Sequence, residues 1–128
     1  MSYFLSTIFS GTFEQALTRV SDELKQEGFG ILTEIDVQAT MKKKLNVDFR
    51  PYRILGACNP PFAHKALLAE PNIGILLPCN IVVQEHAPGR VEISAVDPLV
   101  AMHSVENPAL ADVAREVQVR LIKVIKSC

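Results

Sequence analysis

Several kinds of residue and pattern are scarce in this sequence, and each scarcity removes a class of function. Cysteine occurs three times, at positions 58, 79 and 128. That number is odd, and the spacings match no zinc-binding pattern, Cys-x-x-Cys redox motif or disulfide framework. Excess charge is absent as well: the formal net charge is -1 and the sequence pI about 6.3, which gives no global attraction to nucleic acid or anionic lipid. No apolar run is long enough to cross a bilayer, since the longest nearly uncharged stretch, Ile73 to Val83, is interrupted by Pro78 and Asn80. No basic residue precedes Arg19, so the charged start of a secretory signal is lacking too. These absences predict a cytoplasmic protein with reduced thiols and no membrane partner.

What is present describes a compact domain. The chain has 128 residues, of which 48% are hydrophobic and 21% charged, the balance of a folded chain rather than a disordered one. Residues 1–128 are read as a single α+β domain, without internal repeats or linkers. Tyr3 to Phe9 reads as a strand, and Thr12-Phe13-Glu14-Gln15 as a capping box opening a helix with an apolar stripe of Phe13, Ala16, Leu17, Val20 and Leu24. Gly28 is its natural stop. Ile31 to Val37 alternates like a strand, and Asp36 can cap a short helix behind it. Further strands are expected from Tyr52 to Cys58, from Ile75 to Glu85 with a bulge or strand start at Pro78, and from Arg90 to Asp97 across a His86-Ala87-Pro88-Gly89 turn. Asp97-Pro98 and Asn107-Pro108 each begin a helix by the same cap-plus-proline logic. The last helix buries Leu110, Val113, Ala114, Val117, Leu121 and Val124, leaving Val119 and Ile122 off the stripe. The expected product is a two-layer α+β fold, a largely antiparallel sheet of about five strands with helices packed on one face.

One stretch draws the chemistry together: Ile54-Leu55-Gly56-Ala57-Cys58-Asn59-Pro60-Pro61-Phe62-Ala63-His64. It reads as a buried strand that ends at a cysteine, turns through an N-capping asparagine and enters a helix at two prolines. The unpaired amides and partial positive charge of a helix N-terminus favour an anion or a thiolate there. Cys58, Asn59, His64 and Cys79 are therefore the candidate ligand-binding residues, with Cys58 and His64 the candidates for any catalysis. The competing reading is that both cysteines are small core residues, since free cysteine is among the most buried types. A histidine at the edge of a helix stripe is commonly exposed and idle. Cys58, His64 and Cys79 have no recognised metal-ligand spacing, and no metal site is assigned. The Lys42 to Lys44 run beside Phe49, Arg50, Tyr52 and Arg53 is explained by a solvated helix face, so nucleic acid is not an expected partner.

Five ordered segments carry a resemblance: Gly28 to Val37, Val47 to Tyr52, Ile54 to Pro61, Leu76 to Val83 and Ala95 to Pro98. Together they span nearly the whole chain and resemble the domain of unknown function 302 family. The resemblance implies the same α+β fold and a self-associating bacterial or archaeal protein, and it brings no established activity or catalytic residues. The sequence thus predicts a small-ligand or anion-binding or assembly module centred on Cys58-Asn59-Pro60. The alternative is a thiol-dependent enzyme or sulfur carrier acting through Cys58. A homodimer is expected from the spare apolar surface of the last helix and the exposed edges of a small sheet.

Overall fold

The computed structural model describes residues 2–128. Its elements follow in the order β1 (Phe4–Phe9), α1 (Phe13–Gln26), β2 (Gly30–Asp36), α2 (Val37–Leu45), β3 (Tyr52–Cys58), α3 (Pro60–Ala69), a 3-10 helix (Pro71–Leu76), β4 (Cys79–Ala87), β5 (Arg90–Val96), α4 (Pro98–Ala101) and α5 (Pro108–Ser127). The five strands form one sheet in the order β1-β5-β4-β3-β2, antiparallel at every pairing. This is the two-layer α+β arrangement read from the sequence.

Alternation along the strands divides the sheet into two unlike faces. Leu55, Ala57, Cys79, Ile81, Val83, Val91, Ile93 and Ala95 pack under Ala16, Leu17, Val20 and Leu24 of α1 and Val117, Leu121, Val124 and Ile125 of α5. The opposite face carries Phe4, Ser6 and Ile8, exposed on β1, and the half-buried Ile54, Val82 and Ser94. The expected start of α1 is present in full: the Gln15 amide donates to Thr12 Oγ1 at 3.1 Å, and the Thr12 amide donates to Gln15 Oε1 at 2.9 Å. Two of the four otherwise orphaned donors at that helix end are thereby satisfied or locked in place.

Two sequence expectations need correction. Ile75 and Leu76 do not open β4; they end the 3-10 helix, and the strand begins at Cys79, directly after Pro78. Proline has no N–H to give a ladder, which makes the residue after it the first able to pair fully. The strand expected to run to Val37 ends at Asp36, which caps α2 with Val37 already inside the helix. The strand is an edge with a register shift between Ile31 and Thr33, and all its side chains but that of Asp36 are exposed.

The sheet's tightest backbone approach lies near the candidate stretch. A Cβ on Gly56 would stand 2.2 Å from Thr33 Oγ1 and 2.7 Å from Pro78 Cγ, so only glycine fits where β2 and the start of β4 converge on β3. That convergence brings the ends of β3 and β4 together, with Ala57 the cross-strand partner of Cys79. A second, smaller cluster of Ala66, Ile73 and Leu110, joined by Leu77, Met102 and Val105, lies beyond those strand ends, and Val113 packs against both clusters.

Candidate functional site

Between the two clusters lies a pocket of about 310 Å³. β3 contributes Ala57 and Cys58, α3 contributes Phe62, Ala63, Ala66 and Leu67, and α5 contributes Val113, Ala114 and Val117. Phe29, Leu77, Pro78, Cys79, Pro98 and Met102 complete most of the wall, and Asn59 is its one side chain with an amide. α3 packs chiefly against α5 and the 3-10 helix, and the pocket lies between these elements and the strand ends. Residues at every third or fourth position of α3 and α5 then face each other across a gap.

Three of the four sequence-derived ligand residues meet here. Cys58 is half-buried and lines the pocket, as do the buried Cys79 and Asn59. Burial, and secondarily the neighbouring Cys58, push the Cys79 thiol up to about 11, so it stays protonated at neutral pH. His64 is not brought in: it is exposed on α3 and absent from the pocket wall. No hydrogen bond joins Cys58 to a histidine or carboxylate among the described residues. His86 instead lies 2.8 Å from Glu92 Oε1 near the hairpin, and His103 is exposed beyond α4. Among the described residues no three His, Cys, Asp or Glu side chains are grouped to hold a metal ion.

The expected role of Asn59 is also corrected. It sits at the N-cap position of α3, yet its side chain makes no capping bond; its Nδ2 donates to the Glu27 carbonyl at 3.1 Å, tying the turn between α1 and β2 to the start of α3. Of the two amides an N-cap side chain can accept from, Pro61 at the second helical position removes one and leaves only that of Phe62, and the Asn59 side chain donates to a carbonyl elsewhere. Pro60 and Pro61 together remove donors that an anion at this helix end would need.

Sequence reasoning missed Arg120. Its Nη1 reaches the same Glu27 carbonyl at 3.5 Å, and its guanidinium carbon lies 5.2 Å from the centre of the Phe62 ring. The signal was available: three residues after Val117, it is a cation beside an otherwise apolar helix stripe.

Fold and pocket together define a class, an α+β protein with an open-faced antiparallel sheet and an apolar pocket where two strands end under two helices. Residues 5–128 match the family described as Domain of unknown function DUF302, and the chain belongs to that family. It is similar to an uncharacterized conserved DUF302 protein from Bacillus stearothermophilus, whose crystal structure superposes with a TM-score of 0.92 at 29% identity, covering 100% of this chain and 99% of that one. No functionally curated protein matches the chain. Among the described residues no helix is long and apolar enough to cross a membrane.

Proposed function

We propose that the protein binds a small, largely apolar molecule in the pocket beside Cys58, Asn59 and Cys79. The observation that carries this reading is the pocket's make-up. Its 310 Å³ falls at the lower end of small-molecule sites, and apolar side chains surround a single amide. An apolar ligand gains there by leaving water, whereas a highly charged one would lose hydration without gaining donors. The test is calorimetric titration with octan-1-ol against the wild-type chain and Ala63→Phe, which fills the pocket from the half-buried side of α3. Saturable binding to the wild type that disappears in Ala63→Phe is expected. Equal binding by both would place the ligand elsewhere.

The thiol reading rests on a separate observation, that Cys58 is half-buried on the pocket wall and so reachable from within it. If Cys58 acts as a nucleophile or sulfur carrier, Cys58→Ser folds normally but loses that chemistry. If it is only packing, the same change lowers stability by burying a hydroxyl. Iodoacetamide labelling of the wild type, followed by mass, together with a melting curve of Cys58→Ser, separates the two.

We also infer self-association as a homodimer. Both edge strands expose apolar side chains, Phe4 and Ile8 on β1 and Ile31, Leu32 and Ile35 on β2, beside unpaired backbone groups. Such edges are blunted by pairing with another chain, and a second copy offers the same surface. Val119 and the half-buried Ile122 add to the surface available on α5. Light scattering at tens of micromolar is expected to give twice the 14.1 kDa chain mass. A monomer mass would count against it.

A further inference from the structure

We propose that the pocket is the first half of a longer site for an unbranched alkyl chain of about sixteen to twenty carbon atoms, and that Met102 swings aside to let the chain through. The inference deepens the pocket reading above and rests on it. A second cavity, of about 250 Å³, lies next to the first. The two share Leu77, Pro78, Cys79, Pro98 and Met102, so one layer of side chains separates them. Beyond that layer the second cavity is bounded by Ile75, Leu76, Val96 and Ala101, with Asn80 the one amide side chain among the described residues that line it.

The members of this partition differ in how far they can move. Pro98 is wholly buried, Pro78 packs against Gly56, and Cys79 is buried in the sheet opposite Ala57. Leu77 and Met102 are only partly buried, and Met102 is the unbranched one of the two. It follows the last turn of α4 and has three rotatable side-chain bonds, which lets it refit a changing apolar space. A gap opened by one side chain is one side chain wide. It passes a polymethylene chain and stops a ring. The exposed Leu32 and Leu67 line the first cavity, and the exposed Ile75 and Leu76 line the second. A chain entering beside Leu32 and Leu67 therefore runs past Met102 toward Leu76 without meeting a charged side chain, since neither cavity is lined by one among the described residues. A cavity of about 150 Å³ holds benzene, and on that scale about 310 Å³ takes about twelve carbon atoms and both cavities together about twenty-two.

Amide shifts of isotopically labelled wild-type protein, followed with decan-1-ol and then with tetradecan-1-ol, test the assignment. Decan-1-ol, short enough for the first cavity alone, is expected to move Phe62, Ala63 and Val113 and to leave Leu76, Val96 and Ala101 in place. One equivalent of tetradecan-1-ol is expected to displace decan-1-ol present in about tenfold excess and to move both sets, because four further methylenes leaving water are worth roughly a hundredfold in affinity. Met102→Phe, whose stiffer ring keeps the passage shut, should abolish the displacement while decan-1-ol still binds, and Met102→Ala should leave the displacement intact. Tetradecan-1-ol that fails to displace decan-1-ol from the wild type, or displaces it without moving Leu76 and Ala101, overturns the longer site and leaves the pocket reading standing. Displacement that survives in Met102→Phe overturns the assignment of the passage to Met102. Failure of both alcohols to bind overturns the pocket reading and this inference together. The wild-type titrations need no variant, so they decide the length of the site even if Met102→Phe folds poorly.

Discussion

Across the middle of the sheet, Val20, Leu24, Ile81, Val83, Ile93 and Leu121 are wholly buried, whereas at the far end of the strands Phe62, Leu77, Met102 and Val113 are only half-buried around a gap. Both regions draw on the same α5, whose later turns lie on the sheet and whose earlier turns face α3. The difference is one of packing partner. A sheet meets a helix with a continuous pleated surface, while α3, the 3-10 helix and α4 are short and meet α5 at separate points. Short elements cannot tile a surface, and the space they leave is the pocket. The buried centre carries stability and the loosely filled end carries the candidate function.

The comparison is broken most directly by truncation on either side of it. Leu121→Ala should destabilise by about 2–5 kcal/mol, the range for a buried leucine whose cavity cannot collapse. Met102→Ala, at the pocket rim, should lose under about 1.5 kcal/mol, because the side chain is only partly buried and the gap beside it is already there. Denaturant melts of the two variants check this, and similar losses would erase the distinction between centre and end.

Alkali provides a second probe, reading the buried thiol on the boundary between the regions. The folded-state pKa of Cys79 is raised to about 11 from 9.0, so the fold binds its proton more tightly than the unfolded chain does. This stabilisation is complete below pH 9.0 and is lost as pH rises through about 11. With each unit equivalent to about 1.4 kcal/mol, the loss is up to about 3 kcal/mol. Burial, with a secondary contribution from Glu23, raises Cys128 in the same direction, so the comparison is made between wild type and Cys79→Ala. The variant should lose less stability between pH 8 and 11 in a series of chemical denaturations.

A third change sharpens the account of how the strand ends are held together. Gly56→Ala should destabilise by about 1–3 kcal/mol, since the new methyl group must displace Thr33 or Pro78. Its melting temperature, set beside that of Gly74→Ala, where a Cβ meets nothing within 4 Å, gives the contrast.

The central region was legible in the sequence and the pocket end only in part. The α1 stripe, its Thr12-Gln15 cap and the β3 boundaries could be read because each is a local pattern: a period, a cap, a proline. Asp97 and Asn107 accept from the amides of Leu99 and Ala109, as cap-plus-proline logic predicts. Asn59 obeys the same local pattern and does something else, because its partner, the Glu27 carbonyl, lies 32 residues earlier and no local rule points to it. Cys58 and Cys79 meet because β3 and β4 are adjacent, a pairing between strands 21 residues apart that no local pattern announces. His64 is close to Cys58 in sequence, but its position on α3 leaves it exposed to solvent and off the pocket wall. Arg120 was missed for the complementary reason, being 62 residues from Cys58 in the chain and near its pocket only through α5.

The central claim is that the gap under α3 and α5 is a binding site and not merely loose packing. Amide chemical shifts of isotopically labelled protein, followed through a titration with octan-1-ol, test it most directly. The predicted result is saturable movement confined to Cys58, Asn59, Phe62, Ala63, Val113 and Val117, with Ser6, Glu92 and Ser94 on the opposite sheet face unmoved. Movement that never saturates, or that appears first at Ser6 and Ser94, would contradict it.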